Sequence, residues 1–584
     1  SVGLNYNIIK GLKFSSTYSL DHYFTRVYTF TPDYLKYDKK SEVQASNIAM
    51  TNIQTENILT YNLALPSEHK LELMAGMTYN YDLLQNLSGT AKGGPTNSIK
   101  FAGEGWPSLF NDGGTVRAAQ SFLTNQQEQS LLSFLGRAAY SYKKRYMAEL
   151  SIRADGSSVF GKDVRWGTFP SVGLGWAFSE EHFMKKFWWL SFGKLRASWG
   201  KSGQKFQEPY LALGVMEESN VFNGSLGLIP QSMANKKLTW EESDQYDLGL
   251  DLQMLDYRLK LKLDYYYKYS SKLLMQSYLP GNVFLATNMW DNASAISNEG
   301  IEFEAQYDVI RKKNWNWSVG FNLSHNKNML RKTYNGEDLN DKVLGRPVYG
   351  IYTFKDEGIV QKEEDIPMYP NASGKQIPLY FQSINNPLRV GGRKIKDQNY
   401  DGVIDDKDLY YAGSTLPAVY GGLNSHLEWK GLSFDVLFSY TISRKVMNMY
   451  KNSAFTFTKD FGVIMNYFHA NDFWTTSNRD AKYPSLEFAD KDYVGQFDGN
   501  VDSNIENISF LRLKQLVIGY QLPKSWLKGS FIKDANIYLS GENLFLITNY
   551  SGVDPEVINP YSGKDDGTQY PLNRKVTLGL NLKF

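Results

Sequence analysis

The last ten residues, Lys575-Val576-Thr577-Leu578-Gly579-Leu580-Asn581-Leu582-Lys583-Phe584, constrain the fold more than any other stretch. Val576, Leu578, Leu580, Leu582 and Phe584 fall on one side, and Lys575, Thr577, Gly579, Asn581 and Lys583 on the other. Alternate side chains of a strand point to opposite faces, so the segment is a ribbon with one apolar and one polar side. A tilted strand of about 9–11 residues also spans a bilayer, apolar toward lipid and polar toward a lumen. A half-buried strand at the end of a soluble sandwich would alternate in the same way. The rest of the chain decides between the two.

A soluble core stops growing at roughly 250–300 residues, and this chain has 584. It contains no Pro-, Ser- or Gln-rich linker, so one continuous architecture is expected across residues 1–584. The 40 Tyr, 33 Phe and 13 Trp are many for a soluble protein. Mean hydropathy is nevertheless −0.43. Two-faced membrane strands reconcile these values, because each lipid-facing residue is matched by a polar one. A net charge of +2 excludes the basic balance of a nucleic-acid binder. The absence of cysteine excludes thiolate metal sites, thiol catalysis and disulfides, and suits an envelope protein exposed to oxidants. No apolar run approaches 18 residues, so no membrane-spanning helix is expected. The chain opens inside a strand-like segment, Val2–Asn7, with no leader pattern, so residue 1 is not expected to be the natural start.

About seventeen strand-like segments follow one another. Leu248, Leu250, Leu252 and Met254 alternate with polar residues; after a turn at Asp256-Tyr257, Leu259, Leu261, Leu263, Tyr265, Tyr267 and Tyr269 do the same. Short connections at Lys10-Gly11, Lys143-Lys144, Asp256-Tyr257, 311–314 and Lys430-Gly431 are interleaved with long loops near 29–50, 84–126, 202–240, 330–416 and 446–506. Short turns at one end and long loops at the other are the pattern of an outer-membrane barrel with periplasmic turns and extracellular loops. Trp188, Trp189, Trp315, Trp317, Trp429 and Trp526 cluster at the short-turn end, where an aromatic girdle belongs. The expected fold is all-β, a transmembrane antiparallel β-barrel of the outer membrane of a Gram-negative bacterium. Such barrels have an even strand number, so the odd count places an odd number of strands before residue 1. The partner of the closing strand across the seam is expected among them.

Several stretches carry a further likeness. They are Arg153-Ala154-Asp155-Gly156-Ser157-Ser158, Phe160-Gly161, Arg165-Trp166-Gly167 and Phe169-Pro170-Ser171. Lys194–Gly200, Leu238-Thr239-Trp240-Glu241 and Asn298-Glu299-Gly300-Ile301-Glu302 continue the series. Phe510–Lys514, Gly519–Pro523, Ser540–Phe545, Asp554-Pro555-Glu556 and Tyr570-Pro571 complete it. In this order, from about residue 130 to the end, the chain resembles the SusC/RagA family of TonB-dependent outer-membrane transporters. The resemblance implies a 22-stranded barrel with an N-terminal plug and TonB acting through that plug. It also implies a SusD-like surface lipoprotein as partner and import of glycans or peptides. The sequence departs from the family in carrying no plug, no TonB-binding box and about five strands fewer. The alternative is a plugless barrel serving as adhesin, assembly partner or passive pore.

One motif carries chemistry. Asp397, Asn399, Asp401 and Asp405 stand at positions 1, 3, 5 and 9 of a twelve-residue stretch ending in Asp408, with Gly402 at the turn position and Val403 offering a carbonyl. That is the ligand order of a calcium loop built from hard oxygen donors. No helix pattern flanks it, and Asp408 stands where a longer Glu is usual. The six histidines are scattered, with no HExxH and no G-x-S-x-G elbow, so no enzyme is expected and no organic cofactor. The residues of the long loops carry no readable substrate code.

Overall fold

The computed structural model describes residues 1–584 except 67, 103–104, 113–114, 223–224, 281–287, 340–341, 372, 450–468 and 490–499. All seventeen expected strands form, as β1 Val2–Ile9, β2 Leu12–Thr31, β3 Glu42–Ala64, β4 His69–Lys92, β5 Gln120–Tyr142, β6 Tyr146–Ser157, β7 Trp166–Trp176, β8 Leu190–Gln204 and β9 Glu241–Met254. The series continues with β10 Leu259–Tyr278, β11 Asn288–Lys312, β12 Trp315–Lys332, β13 Val419–Trp429, β14 Leu432–Asn448, β15 Ile505–Gln521, β16 Asp534–Glu542 and β17 Lys575–Lys583. Among the described residues helix is confined to single turns, among them Phe178–Glu180 and Met184–Lys186 in the link before β8. No helix among the described residues is long and apolar enough to cross a membrane.

The chain divides into two compact units, residues 1–177, 196–246 and 269–295, and residues 178–195, 247–268 and 296–584. In the first, β1 to β7 pair in sequence order, every pair antiparallel. The β3–β4 ladder runs from Glu42↔Lys92 to Ala64↔Lys70 without a register shift. In the second, β12 to β16 pair in the same way, and β17 lies against β16 from Lys575↔Glu542 to Lys583↔Asp534. The tight turns force the backbone left-handed: Lys143 and Lys144 (φ 53° and 54°) and Lys430 and Gly431 (φ 47° and 90°) match the right-handed twist of their strands.

One face of each ladder is apolar and open. Val2, Leu4 and Tyr6 face the same way as Tyr18 and Leu20, and farther along as Leu150, Ile152 and Leu174. On β17, Leu578 is 76% exposed whereas Thr577 and Gly579 are half-buried. A soluble sandwich buries its apolar face; here that face is the exposed one, as a lipid-facing wall requires. Trp315 pairs directly with Trp429 at the short-turn end, both half-exposed.

The long connections differ from the sequence reading. β3 begins at Glu42 and β4 ends at Lys92, so the predicted loop near 29–50 shrinks to 32–41. The loop near 84–126 holds a small hairpin, Leu109–Asp112 with Thr115–Ala118, and that near 202–240 holds Val215–Phe222 with Ser225–Ser232. Polar strand ends such as Gln44–Asn47 lose the apolar alternation that marks a strand but keep the ladder hydrogen bonds. The alternating segment 534–547, which reads as one strand, is divided in the structure. Asn543 takes a left-handed backbone (φ 52°), and Leu546–Thr548 then pairs with β15 separately. Of the loop near 446–506, residues 450–468 and 490–499 lie outside the described residues.

Candidate functional site

The connection between β12 and β13 is a small layered subdomain. Gly350–Thr353 pairs with Tyr410–Ser414, Asp356–Ile359 with Arg393–Ile395, and Tyr380–Phe381 runs parallel to Val403–Ile404. Val360, Leu379, Phe381, Leu388, Ile395, Ile404 and Val501 form its core. The acidic loop hangs on this frame. Tyr400 (φ 61°) and Gly402 (φ 84°) turn the chain back left-handed, a conformation glycine adopts without steric cost.

Asp397 sits buried at the start of the loop. Its Oδ1 accepts from the Tyr400 N–H at 2.7 Å and its Oδ2 from the Gly402 N–H at 2.8 Å. Asp408, fully buried at the end, accepts from Gln398 N–H at 2.7 Å and from Asp405 N–H at 2.9 Å. Asp405 caps the turn Asp406–Asp408. Asp401 accepts from the Val403 N–H at 3.0 Å. The Gly402 and Ile404 carbonyls accept from Tyr380 and Gln382, which leaves the Val403 carbonyl on the opposite, loop-side edge.

Burial, and next to it the neighbouring Asp397 and Asp401 charges, pushes the Asp408 carboxyl up against the amides that hold it. The Tyr369 hydroxyl, buried and bonded to Asp397, is pushed up to about 12. Asn399 and Asp401 stand exposed, with the Asn399 amide donating to Asp401 at 2.9 Å. Among the described residues no three His, Cys, Asp or Glu side chains converge as a ready-made metal cluster. The loop brings Asp397 and Asp408 together at its base and leaves Asn399, Asp401 and Asp405 satisfied by its own backbone.

A polar node that the sequence did not signal fastens this subdomain. Asp502 accepts from Lys355 Nζ and Tyr410 Oη, both at 2.6 Å, and from the Asp356 N–H at 2.9 Å. Burial raises its carboxyl, but these donors outweigh burial and hold it below the usual range. Arg393 pairs with Asp356, both side chains 8% exposed, and Ser503 donates to the same carboxylate. Residues 92 to 147 positions apart meet here, with no local pattern to announce them.

The family-like motifs are packing and anchoring devices. Phe160, Phe169, Leu238 and Trp240 form one buried cluster with Phe206, and the Trp240 indole donates to the Arg165 carbonyl at 2.9 Å. Arg153 bonds to Asp155 and to Ser133 along β5 and β6. Arg512 on β15 pairs with Asp554 at 2.6 Å and with Glu556, tying down the segment that leads to β17. Arg444 clamps the carbonyls of Thr415, Pro555 and Ile558. None of these groups is arranged as a nucleophile and base.

The sequence signature of the family described as TonB dependent receptor-like, beta-barrel, matches residues 1–544. The chain belongs to this family, whose barrels lie in the outer membrane. It is 28% identical to TonB-dependent receptor P3 of Formosa agariphila, over 99% of this chain and 57% of the relative. It is 29% identical to TonB-dependent receptor SusC of Bacteroides thetaiotaomicron, over 82% of this chain and 46% of SusC. The chain therefore spans about half the length of the curated relatives it matches. Among solved structures it shares its fold with the RagAB peptide transporter, with a TM-score of 0.79 at 22% identity, over 99% of this chain and 61% of that one. By their names these relatives are TonB-dependent receptors and a peptide transporter.

Proposed function

We propose that this chain forms the wall and outer loops of an outer-membrane importer of oligosaccharides or oligopeptides driven through TonB. A SusD-like surface lipoprotein is its partner, and TonB acts through a plug. The observation that carries the reading is the ladder whose apolar face is exposed and whose loop-side connections fold into packed subdomains. Bare turns would suffice for a passive pore; a core such as Val360–Leu379–Phe381 with the Asp502 node gives a rigid platform for a partner. The RagAB structures, by their titles those of a peptide transporter and importer, stand on the side of import. A strain deleted for the protein, grown on a panel of glycans and peptides, should lose growth on one class only. The tagged protein should retain a surface lipoprotein through detergent extraction. Unchanged growth on every substrate together with loss of adhesion would instead support the plugless barrel.

We further propose that the Asp397–Asp408 loop takes Ca²⁺. The donors are hard oxygens, and two buried carboxylates, Asp397 and Asp408, have no Lys or Arg beside them among the described residues. Burying a charge without a counterion is costly, and a cation relieves it. Asp397, Asn399, Asp401, Asp405 and Asp408, with the Val403 carbonyl, would hold the ion, which supplies a fixed positive charge that stiffens the loop. Calcium titration should raise the thermal midpoint of the protein, and Asp397→Ala with Asp401→Ala should abolish the rise. An unchanged midpoint and no bound ion in millimolar calcium would refute the site.

A further inference from the structure

A cavity of about 430 Å³ opens on the first unit, on the same face as its apolar band but at the end remote from the short turns. Registers Tyr28↔Ala45, Ala45↔Gly89 and Gly89↔Phe122 set four residues side by side in the order large, small, small, large. Strands lie about 4.8 Å apart, so the two rings stand on backbones roughly 14 Å apart with a bare floor between them. The loop residue Phe101 stacks on Tyr28, with ring centroids 4.6 Å apart. Phe101 and Phe122 are 64% and 73% exposed. The exposed Arg26 stands at the edge and makes no ion pair among the described residues. Gln120 commits its amide N–H groups to the Trp106 and Pro107 carbonyls, which leaves its oxygen as the acceptor it can offer.

The cavity lies outside the lipid zone. On β5, Ser130, Glu128, Gln126 and Thr124 separate the apolar Leu132 from Phe122 on this face. Glu128 accepts from the Tyr81 hydroxyl at 2.9 Å, and Gln85 donates to Gln126 at 3.1 Å. An ionised carboxylate does not face hydrocarbon. Ten residues along a strand carry Phe122 about 33 Å past Leu132. An acyl chain is therefore excluded as the occupant. The volume falls within the roughly 300–1,000 Å³ of small-ligand sites, mostly apolar with a few placed polar groups.

We propose that this cavity binds a sugar ring that carries a carboxylate or sulfate. The apolar face of the ring lies over Ala45 and Gly89 between the aromatic walls, the hydroxyls meet Gln120, and the anionic group pairs with Arg26. Guanidinium matches carboxylate or sulfate in a forked, charge-assisted geometry, which makes the unpaired Arg26 the selective element. A free acidic oligosaccharide and the anionic core sugars of lipopolysaccharide share this chemistry. The site is on the face opposite the polar one, so it is independent of import.

The test is calorimetric titration of the full-length protein in detergent with hexagalacturonate, delipidated lipopolysaccharide core and neutral maltohexaose. Heat-modifiable gel migration confirms that each variant is folded. Binding of either anionic probe, with maltohexaose at least tenfold weaker, is expected, and the stronger of the two anionic probes identifies the source. Arg26→Gln should weaken the anionic probe at least tenfold, Phe122→Ala about fivefold, and Ala45→Leu should remove binding by filling the floor. Phe24→Ala, one position outside the cavity on the same face, should change nothing. Absence of binding to both anionic probes, or full binding by Ala45→Leu, overturns the proposal. So does a change in oligomeric mass with Phe122→Ala while sugar binding stays intact, which would mark the face as a protein contact. Substrate growth by the Ala45→Leu strain should match the parent, so failure here is distinct from failure of the import reading.

Discussion

Replacing Asp554 by alanine tests whether the segment before the closing strand is held by one buried ion pair. Arg512 and Asp554 are 4% and 3% exposed, and their contact measures 2.6 Å. Asp554 also accepts from the Glu556 N–H at 3.0 Å and the Leu572 N–H at 3.1 Å. Removing one partner of a buried pair costs about 3–5 kcal/mol, because the other charge stays buried. Glu556 remains beside Arg512 and also pairs with Lys514 at 2.7 Å, so the low end, about 3 kcal/mol, is expected. The matched control is Glu304→Ala, which breaks a pair with Lys262 whose side chains are 54% and 55% exposed. An exposed pair contributes about 0–1 kcal/mol. Urea unfolding in lipid vesicles, followed by tryptophan fluorescence, gives both values. Arg512→Met combined with Asp554→Leu removes both charges together and should recover most of the loss. A loss for Asp554→Ala no larger than that for Glu304→Ala would refute the reasoning.

Three further outcomes follow from the same contacts. Leu578→Arg puts a charge on the apolar face of β17 and should cost about 2–4 kcal/mol in vesicles, whereas Thr577→Arg on the other face should cost under half of that; equal costs would contradict the assigned faces. Gly161→Ala drives a Cβ into the Lys236 carbonyl oxygen, at a position with an ordinary φ, so the cost is steric alone. Such overpacking costs about 1–3 kcal/mol, read as a lower urea midpoint. The Asp502 carboxyl is held below its ordinary range, so its stabilising effect is present above the unfolded value near 3.9 and is lost as pH falls through the folded one. Asp502→Asn should therefore flatten the acid-induced rise in protease cleavage of the 350–416 subdomain, and an identical acid profile would count against the node.

Much of the fold was legible because a strand writes its two faces into every second residue. Leu248–Met254 and Leu259–Tyr269 read as β9 and β10 without a structure, and Lys143-Lys144 reads as a turn between alternating runs. Beyond the lipid zone that signal fades, since water on both faces places no demand on alternation; hence β3 and β4 were read too short. The Asp397–Asp408 loop was legible as spacing alone. That Asp408 is fully buried, and that the Val403 carbonyl lies on the edge away from Tyr380–Phe381, depended on how the strands pair.

The sequence by itself determined which residues face which way, since side-chain direction along a strand is a local property of the backbone. It therefore determined the apolar run Val576, Leu578, Leu580, Leu582 and Phe584, and the alternation of short turns and long loops along the rest of the chain then set the membrane-facing class of fold. Only the tertiary structure decided what meets across distance. Arg512 with Asp554, Asp502 with Lys355, and the Tyr28–Ala45–Gly89–Phe122 row depend on strand register and loop closure. Register is a property of pairs of strands, and no single stretch of sequence carries it.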